Sequence, residues 1–184
     1  PGPSLDLITT LDLDDGARIL DAGAGATTLI DHLLERGYQE LVAVDLSEVA
    51  LQRLARRLGP DRAERVEWIV GDLTDPSTLV DTGPVDLWHD RAVLHFLTEE
   101  TDRKGYLQSL RSTVRPGGHV IIATFSPEGA KRCSGLPVRR YEAEGIAELL
   151  GAEFELLRDF EHLYRQPSGD PRPYVYTLFR RAED

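Results

Sequence analysis

The chain predicts a doubly wound α/β fold whose sheet is mostly parallel and carries one antiparallel strand. Three observations predict it. Short, continuously apolar runs alternate with amphipathic helical stretches, the pattern of strands covered by helices on both faces. A glycine-rich turn joins the first such run to the first helix, where an open sheet of this kind keeps its binding crevice. At the end of the chain, two strand-like runs meet at a turn with no helix between them, which makes an antiparallel hairpin.

The elements follow in order. "ARIL" (17–20) is a first short strand, and "ATTLIDHLLERG" (26–37) a helix with Leu29, Ile30, Leu33 and Leu34 on one stripe and Gly37 as its stop. "ELVAVD" (40–45) is the second strand. "SEVALQRLARRLGP" (47–60) is a helix with Ser47 as N-cap, arginines in its last turns and Gly59-Pro60 as its exit. "VEWIVGD" (66–72) and "VDLWHD" (85–90) are strands three and four. Thr98 is placed to cap a helix with an acidic first turn that buries Tyr106, Leu107, Leu110 and Val114. Pro116-Gly117-Gly118 turns the chain into "HVIIATF" (119–125), the fifth strand. A small helix (142–151) precedes the hairpin runs "FELLRDFEHLYRQ" and "YVYTLFRR".

With 184 residues, no internal repeat and no linker-like stretch, the chain reads as one domain over 1–184. No run of eighteen apolar residues and no basic-then-apolar leader occurs, so neither a membrane partner nor secretion is expected, and a cytoplasmic location is. The single cysteine, Cys133, excludes an internal disulfide and a cysteine-cluster metal site, and no metal is expected. A net charge of −11 counts against a nucleic-acid partner, since phosphate backbones call for a basic stripe. Only about sixteen residues precede the first strand, holding one apolar run, "SLDLITTL", and the chain contains no Met. A missing upstream segment is expected.

The glycine turn reads "DAGAGATT" (21–28), with Gly23 and Gly25 letting the backbone approach a ligand beside free helix N–H groups. Asp45 ends the second strand about twenty residues later, where an acid accepts from ribose hydroxyls. A dinucleotide fingerprint asks for a third glycine where Thr28 stands, which weakens an NAD reading without removing it. Asp72 ends the third strand and is placed to accept from an adenine amino group. Asp21, Asp45 and Asp72 on one rim would repel a pyrophosphate and favour a cationic adenosine ligand, and S-adenosylmethionine is one.

With these pieces the sequence resembles the class I S-adenosylmethionine-dependent methyltransferases from about residue 17 to 180. "ILDAGAG", "LVAVDLS", "GDLTD" and "RPGGHVII" stand in order, and the closing hairpin fits the last two strands. The resemblance implies a Rossmann-like seven-stranded sheet in the order 3-2-1-4-5-7-6. It further implies a cofactor lined by Asp21, Gly23, Ala24, Gly25, Asp45, Leu46, Asp72, Leu73 and His89, with S-adenosylhomocysteine as product. "HDRAVLHFL" partly resembles the Asp-Arg-Gly stretch of the thiopurine methyltransferase-like group, with Ala92 in place of the glycine, and also a small-molecule pattern ending in Leu-His-His. Methyltransferases of this type usually carry a helical lid ahead of strand one, which this chain is expected to lack.

The acceptor end of the site is read at the close of strand four. Backbone carbonyls at His89–Asp90 are placed to hold the methionine amine. Arg91 reads equally as a binder of an anionic acceptor or as an ion-pair partner that locks Asp90. His95 reads as a proton acceptor or as a histidine packed under the next loop. Asp90, Arg91 and His95 are therefore the candidate catalytic residues. The segment 126–141 carries Lys131, Arg132, Arg139 and Arg140, either a lid attracting an anion or a solvated loop. His32, His119 and His162 read as structural, and Trp68 and Trp88 as core.

In-line transfer to a small-molecule S, N or O acceptor is the leading expectation. Methylation of a protein lysine and a non-catalytic nucleotide-binding module are the alternatives.

Overall fold

In the computed structural model, which describes residues 1–183, the apolar runs pair into one seven-stranded sheet. Its strands are β1 (Arg18–Ala22), β2 (Glu40–Asp45), β3 (Val66–Val70), β4 (Val85–Arg91), β5 (Val114–Phe125), β8 (Phe154–Arg165) and β9 (Pro171–Arg181). β6 (Arg132–Cys133) and β7 (Leu136–Pro137) form a separate ribbon. The sheet order is β3-β2-β1-β4-β5-β9-β8, which is 3-2-1-4-5-7-6 once the ribbon is set aside. β9 alone runs antiparallel, against both β5 and β8.

The helices are α1 (Gly2–Thr9), α2 (Leu29–Glu35), α3 (Glu48–Leu58), α4 (Pro60–Ala63), α5 (Glu100–Thr113) and α6 (Ala143–Leu150). Strand side chains alternate between faces. Ile19, Leu41, Leu87 and Ile121 therefore meet Leu7, Ile8, Leu33 and Leu54 from α1, α2 and α3. Leu20, Val42, Trp88 and Val120 meet Tyr106, Leu110 and Ile146 from α5 and α6. Each fully buried side chain of this kind stabilises by about 1.5–3 kcal/mol, which is why both faces are closed.

One apolar run with no expected element forms a helix, and three local expectations are corrected. The run "SLDLITTL" contributes most of a helix, α1, which buries Leu5, Leu7 and Ile8. The first predicted helix starts later, at Leu29, because Ala24–Ala26 form a tight turn around the glycines. Pro116–Gly118 does not precede the fifth strand but bulges within it: Val85 pairs with Val114 and Leu87 with His119. Thr98 is not a cap, since α5 begins at Glu100 with Glu99 before it and no side-chain cap; Glu100 and Asp102 offset the free N–H groups by charge instead. Ser47 caps α3 as expected, accepting from the Ala50 N–H at 3.1 Å. Among the described residues no helix is long and apolar enough to cross a membrane.

Candidate active site

The sheet's C-terminal rim is shaped first by the turn after β1. Gly23 adopts φ 71°, a left-handed conformation in which glycine meets no side-chain penalty. Gly25 sits so close to the start of α3 that a Cβ would lie 2.4 Å from the Ala50 Cβ. This approach lets the Gly25 N–H donate to Asp45 Oδ2 at 3.0 Å, while Ser47 N–H donates to Oδ1 at 2.8 Å. A carboxylate has about four acceptor sites, so the half-buried Asp45 keeps capacity for hydroxyl donors. Asp72, exposed, is oriented by the N–H and hydroxyl of Thr74, both at 2.8 Å. Beside these two acids Leu46 and Val70 are 72% and 53% exposed. Exposed apolar surface flanked by aimed acceptors suits the flat base and ribose of a nucleoside. Ala24 and Leu73 are buried, so Leu73 points its side chain into the α5 core.

Asp21 does not join that rim. Its β-register neighbour is His89, and both are buried. His89 Nδ1 lies 2.8 Å from Asp21 Oδ1, and Nε2 lies 2.8 Å from the Ser4 hydroxyl of α1. Of the three acids expected on the rim, Asp45 and Asp72 stand there, and Asp21 is engaged by His89 beneath it. The chain Ser4–His89–Asp21 fixes the imidazole from both sides and ties α1 to the strand ends. Ser4 is a partner of His89 that the sequence did not point to; only its place beside an apolar run hints at burial.

Asp90 and Arg91 go to opposite faces of the sheet and form no ion pair. Asp90 is fully buried and accepts from the Val93 N–H at 2.7 Å, the Leu94 N–H at 3.0 Å and the Tyr106 hydroxyl at 2.6 Å. Burial pushes its carboxyl up to about 6 against these bonds. Its geometry is that of a brace for the turn after β4. Ala92, next in the chain, holds φ 73°, where a side chain is strained and glycine would not be. Arg91 enters an aromatic cluster: Nε donates to the Tyr176 hydroxyl at 3.1 Å, and the guanidinium carbon lies 4.9 Å from each of the Tyr164 and Tyr174 ring centres. The alternating "YVY" at 174–176 is the sequence signal for this one-sided pair, but nothing local connects it to residue 91.

His95 is fully buried between Phe96 and Phe125, with ring centres 4.6 and 4.7 Å away. Its Nδ1 accepts from the Phe125 N–H at 3.3 Å, which leaves Nε2 carrying the proton, and that atom has no partner among the described residues. Burial, helped by the charge of Arg91, pushes its pKa down to about 4. The basic side chains of 126–141 do not converge: Arg132 binds the Gly135 carbonyl, Arg140 those of Pro127 and Gly129, and Arg139 lies over Tyr141.

The profile of a family described as "Methyltransferase domain" matches residues 19–118, more than half of the chain. Trans-aconitate 2-methyltransferase of Azoarcus sp. is 32% identical over 148 residues, 80% of this chain and 53% of that one. EEF1A lysine methyltransferase 2 of Danio rerio is 26% identical over 152 residues, 80% of this chain and 58% of that one. The chain thus spans little more than half the length of these curated relatives. The crystal structure of Burkholderia thailandensis 1,6-didemethyltoxoflavin-N1-methyltransferase, with bound 1,6-didemethyltoxoflavin and S-adenosylhomocysteine, matches with a TM-score of 0.73. It is 26% identical, covering 98% of this chain and 76% of that one.

Proposed function

The chain belongs to the methyltransferase domain family, and from that premise we propose that it is an S-adenosylmethionine-dependent methyltransferase acting on S, N or O of a small-molecule acceptor. The observation that carries the cofactor reading is the pair of aimed acids, Asp45 and Asp72, beside the exposed Leu46 and Val70. Asp45 would take the ribose hydroxyls and Asp72 the adenine amine, with the Gly23–Gly25 backbone beneath the rest. When bound, the cofactor supplies a methyl group made electrophilic by its sulfonium, so the protein needs only to align an acceptor with it.

The chain's own residues do that aligning. The buried Ser4–His89–Asp21 chain fixes the end of β4, and Asp90 braces the turn that follows through the Val93 and Leu94 amides. Asp90 is in this reading a positioning residue. His95 stays neutral near pH 7, too weak a base to take a proton from most acceptors. An acceptor that arrives with a ready lone pair suits this site better than one that must be deprotonated.

Calorimetric titration with S-adenosylmethionine, S-adenosylhomocysteine and NADH in parallel tests the reading. Micromolar binding of the first two and none of the third is the expected result. Asp45→Asn should weaken S-adenosylhomocysteine binding by about tenfold or more, the worth of hydrogen bonds to a charged group, with a melting transition retained. Binding of NADH alone would overturn the proposal.

A further inference from the structure

We propose that Arg91 and its tyrosine cage form a carboxylate-binding subsite, so that the methyl acceptor is a small molecule carrying one carboxylate. The inference rests on the methyl-transfer reading only in calling the ligand an acceptor; anion binding itself rests on the cage.

Arg91 is half-buried, yet among the described residues it makes no ion pair. Its Nε is engaged with the Tyr176 hydroxyl, its only side-chain hydrogen bond among the described residues, so both terminal nitrogens keep N–H groups to offer. The Tyr164 and Tyr174 rings lie 84° to one another about the guanidinium and hold its orientation by cation–π attraction. A guanidinium held in this way presents two parallel donors that match a planar carboxylate bidentately. A charge withdrawn from water without a counter-ion is costly, and the phenol rings offset only part of that cost.

The neighbourhood repeats the same need. Tyr174 packs on Phe125 with ring centres 5.0 Å apart, and Phe125 packs on His95. His95 carries an unpartnered, fully buried N–H within reach of Arg91's charge. The cluster thus holds donors without partners and no anionic group to meet them: the Tyr174 hydroxyl is pushed up to about 12 by burial, so it stays protonated and brings no negative charge. Charge number separates a carboxylate from a phosphate. The cage holds one permanent positive charge, the neighbouring Pro1 amine being pushed toward its neutral form by burial and by Arg91, and the nearby Arg139 and Arg140 are turned to Tyr141 and to main-chain carbonyls. A phosphate dianion would leave one negative charge uncompensated in a chain of net charge −11.

The test compares monocarboxylic acids with their uncharged amides on the full chain saturated with S-adenosylhomocysteine: benzoate with benzamide, hexanoate with hexanamide, acetate with acetamide. At least one acid should bind about tenfold or more tightly than its amide, the worth of a charge-assisted pair. Arg91→Gln should erase that preference while S-adenosylhomocysteine affinity changes less than about twofold. Equal binding of acid and amide in every pair overturns the proposal, and needs no variant to show it. So does loss of S-adenosylhomocysteine binding in Arg91→Gln, which would put Arg91 in the cofactor site. Should the wild-type chain bind no S-adenosylhomocysteine at all, the cofactor reading falls, and the acid–amide comparison on the free chain still decides this one.

Discussion

Asp90 and His95 are titratable side chains sealed from solvent five residues apart, and burial moves them in opposite directions. The folded chain holds a proton on Asp90 up to about pH 6, whereas an unfolded aspartate releases it near 3.8, so this contribution to stability falls as pH rises through that window. His95 works the other way. An unfolded imidazole charges below about 6.5 and the folded one resists down to about 4, so its contribution grows as pH rises. At about 1.4 kcal/mol per pH unit each effect is worth about 3 kcal/mol, and the two largely cancel. His95→Gln should therefore unmask a stability that declines from mildly acidic pH toward neutrality, and Asp90→Asn one that rises. Urea unfolding midpoints across that range read the result, and identical pH slopes in both variants and the parent would refute it.

Elements that repeat a simple pattern are legible in the sequence. The five parallel strands and the closing hairpin are each continuous or alternating apolar runs, and Ser47 sits directly before an amphipathic stripe, so the strands and one cap follow from local chemistry, whereas the strand order is implied only by the family resemblance. The rest depends on what lies across the sheet. Asp21 reads as a rim acid but meets His89 through strand register, and Arg91 reaches Tyr164, Tyr174 and Tyr176 only because β9 inserts between β5 and β8. Helix packing shows the same dependence. On helix propensity alone, Gly105→Ala in α5 should stabilise by about 1 kcal/mol. A Cβ there would fall 1.9 Å from the Thr74 carbonyl oxygen, main chain that cannot step aside. The substitution should instead destabilise by about 1–3 kcal/mol and weaken S-adenosylhomocysteine binding, because Thr74 orients Asp72. Gly145→Ala in α6, with its nearest neighbour at 3.7 Å, is the matched control and should gain stability. Chemical denaturation of the pair checks both, and a stabilised Gly105→Ala would show that the Thr74 loop yields freely.

At the scale of the whole molecule, two apolar layers share one sheet, and the two tryptophans report on them separately. Trp68 packs against the layer of α1–α3, and Trp88 lies within the layer of α5 and α6. Because every sheet strand serves both layers, the chain should unfold as one cooperative unit. Trp68→Phe and Trp88→Phe variants leave one reporter each, and each variant's fluorescence and circular dichroism transitions should coincide; a fluorescence transition displaced from the circular dichroism in either variant would split the fold into two units. The position of α1 also bears on how the protein is handled. Pro1 lies near enough to Arg91 to feel its charge, while Glu183 rests beside Gly117 at the opposite rim. A purification handle joined to Pro1 would leave the molecule beside the tyrosine cage, and an acidic one would compete there with any anion under study. One joined at the carboxyl end departs from the far side, and is the arrangement in which ligand measurements read the protein rather than its tag.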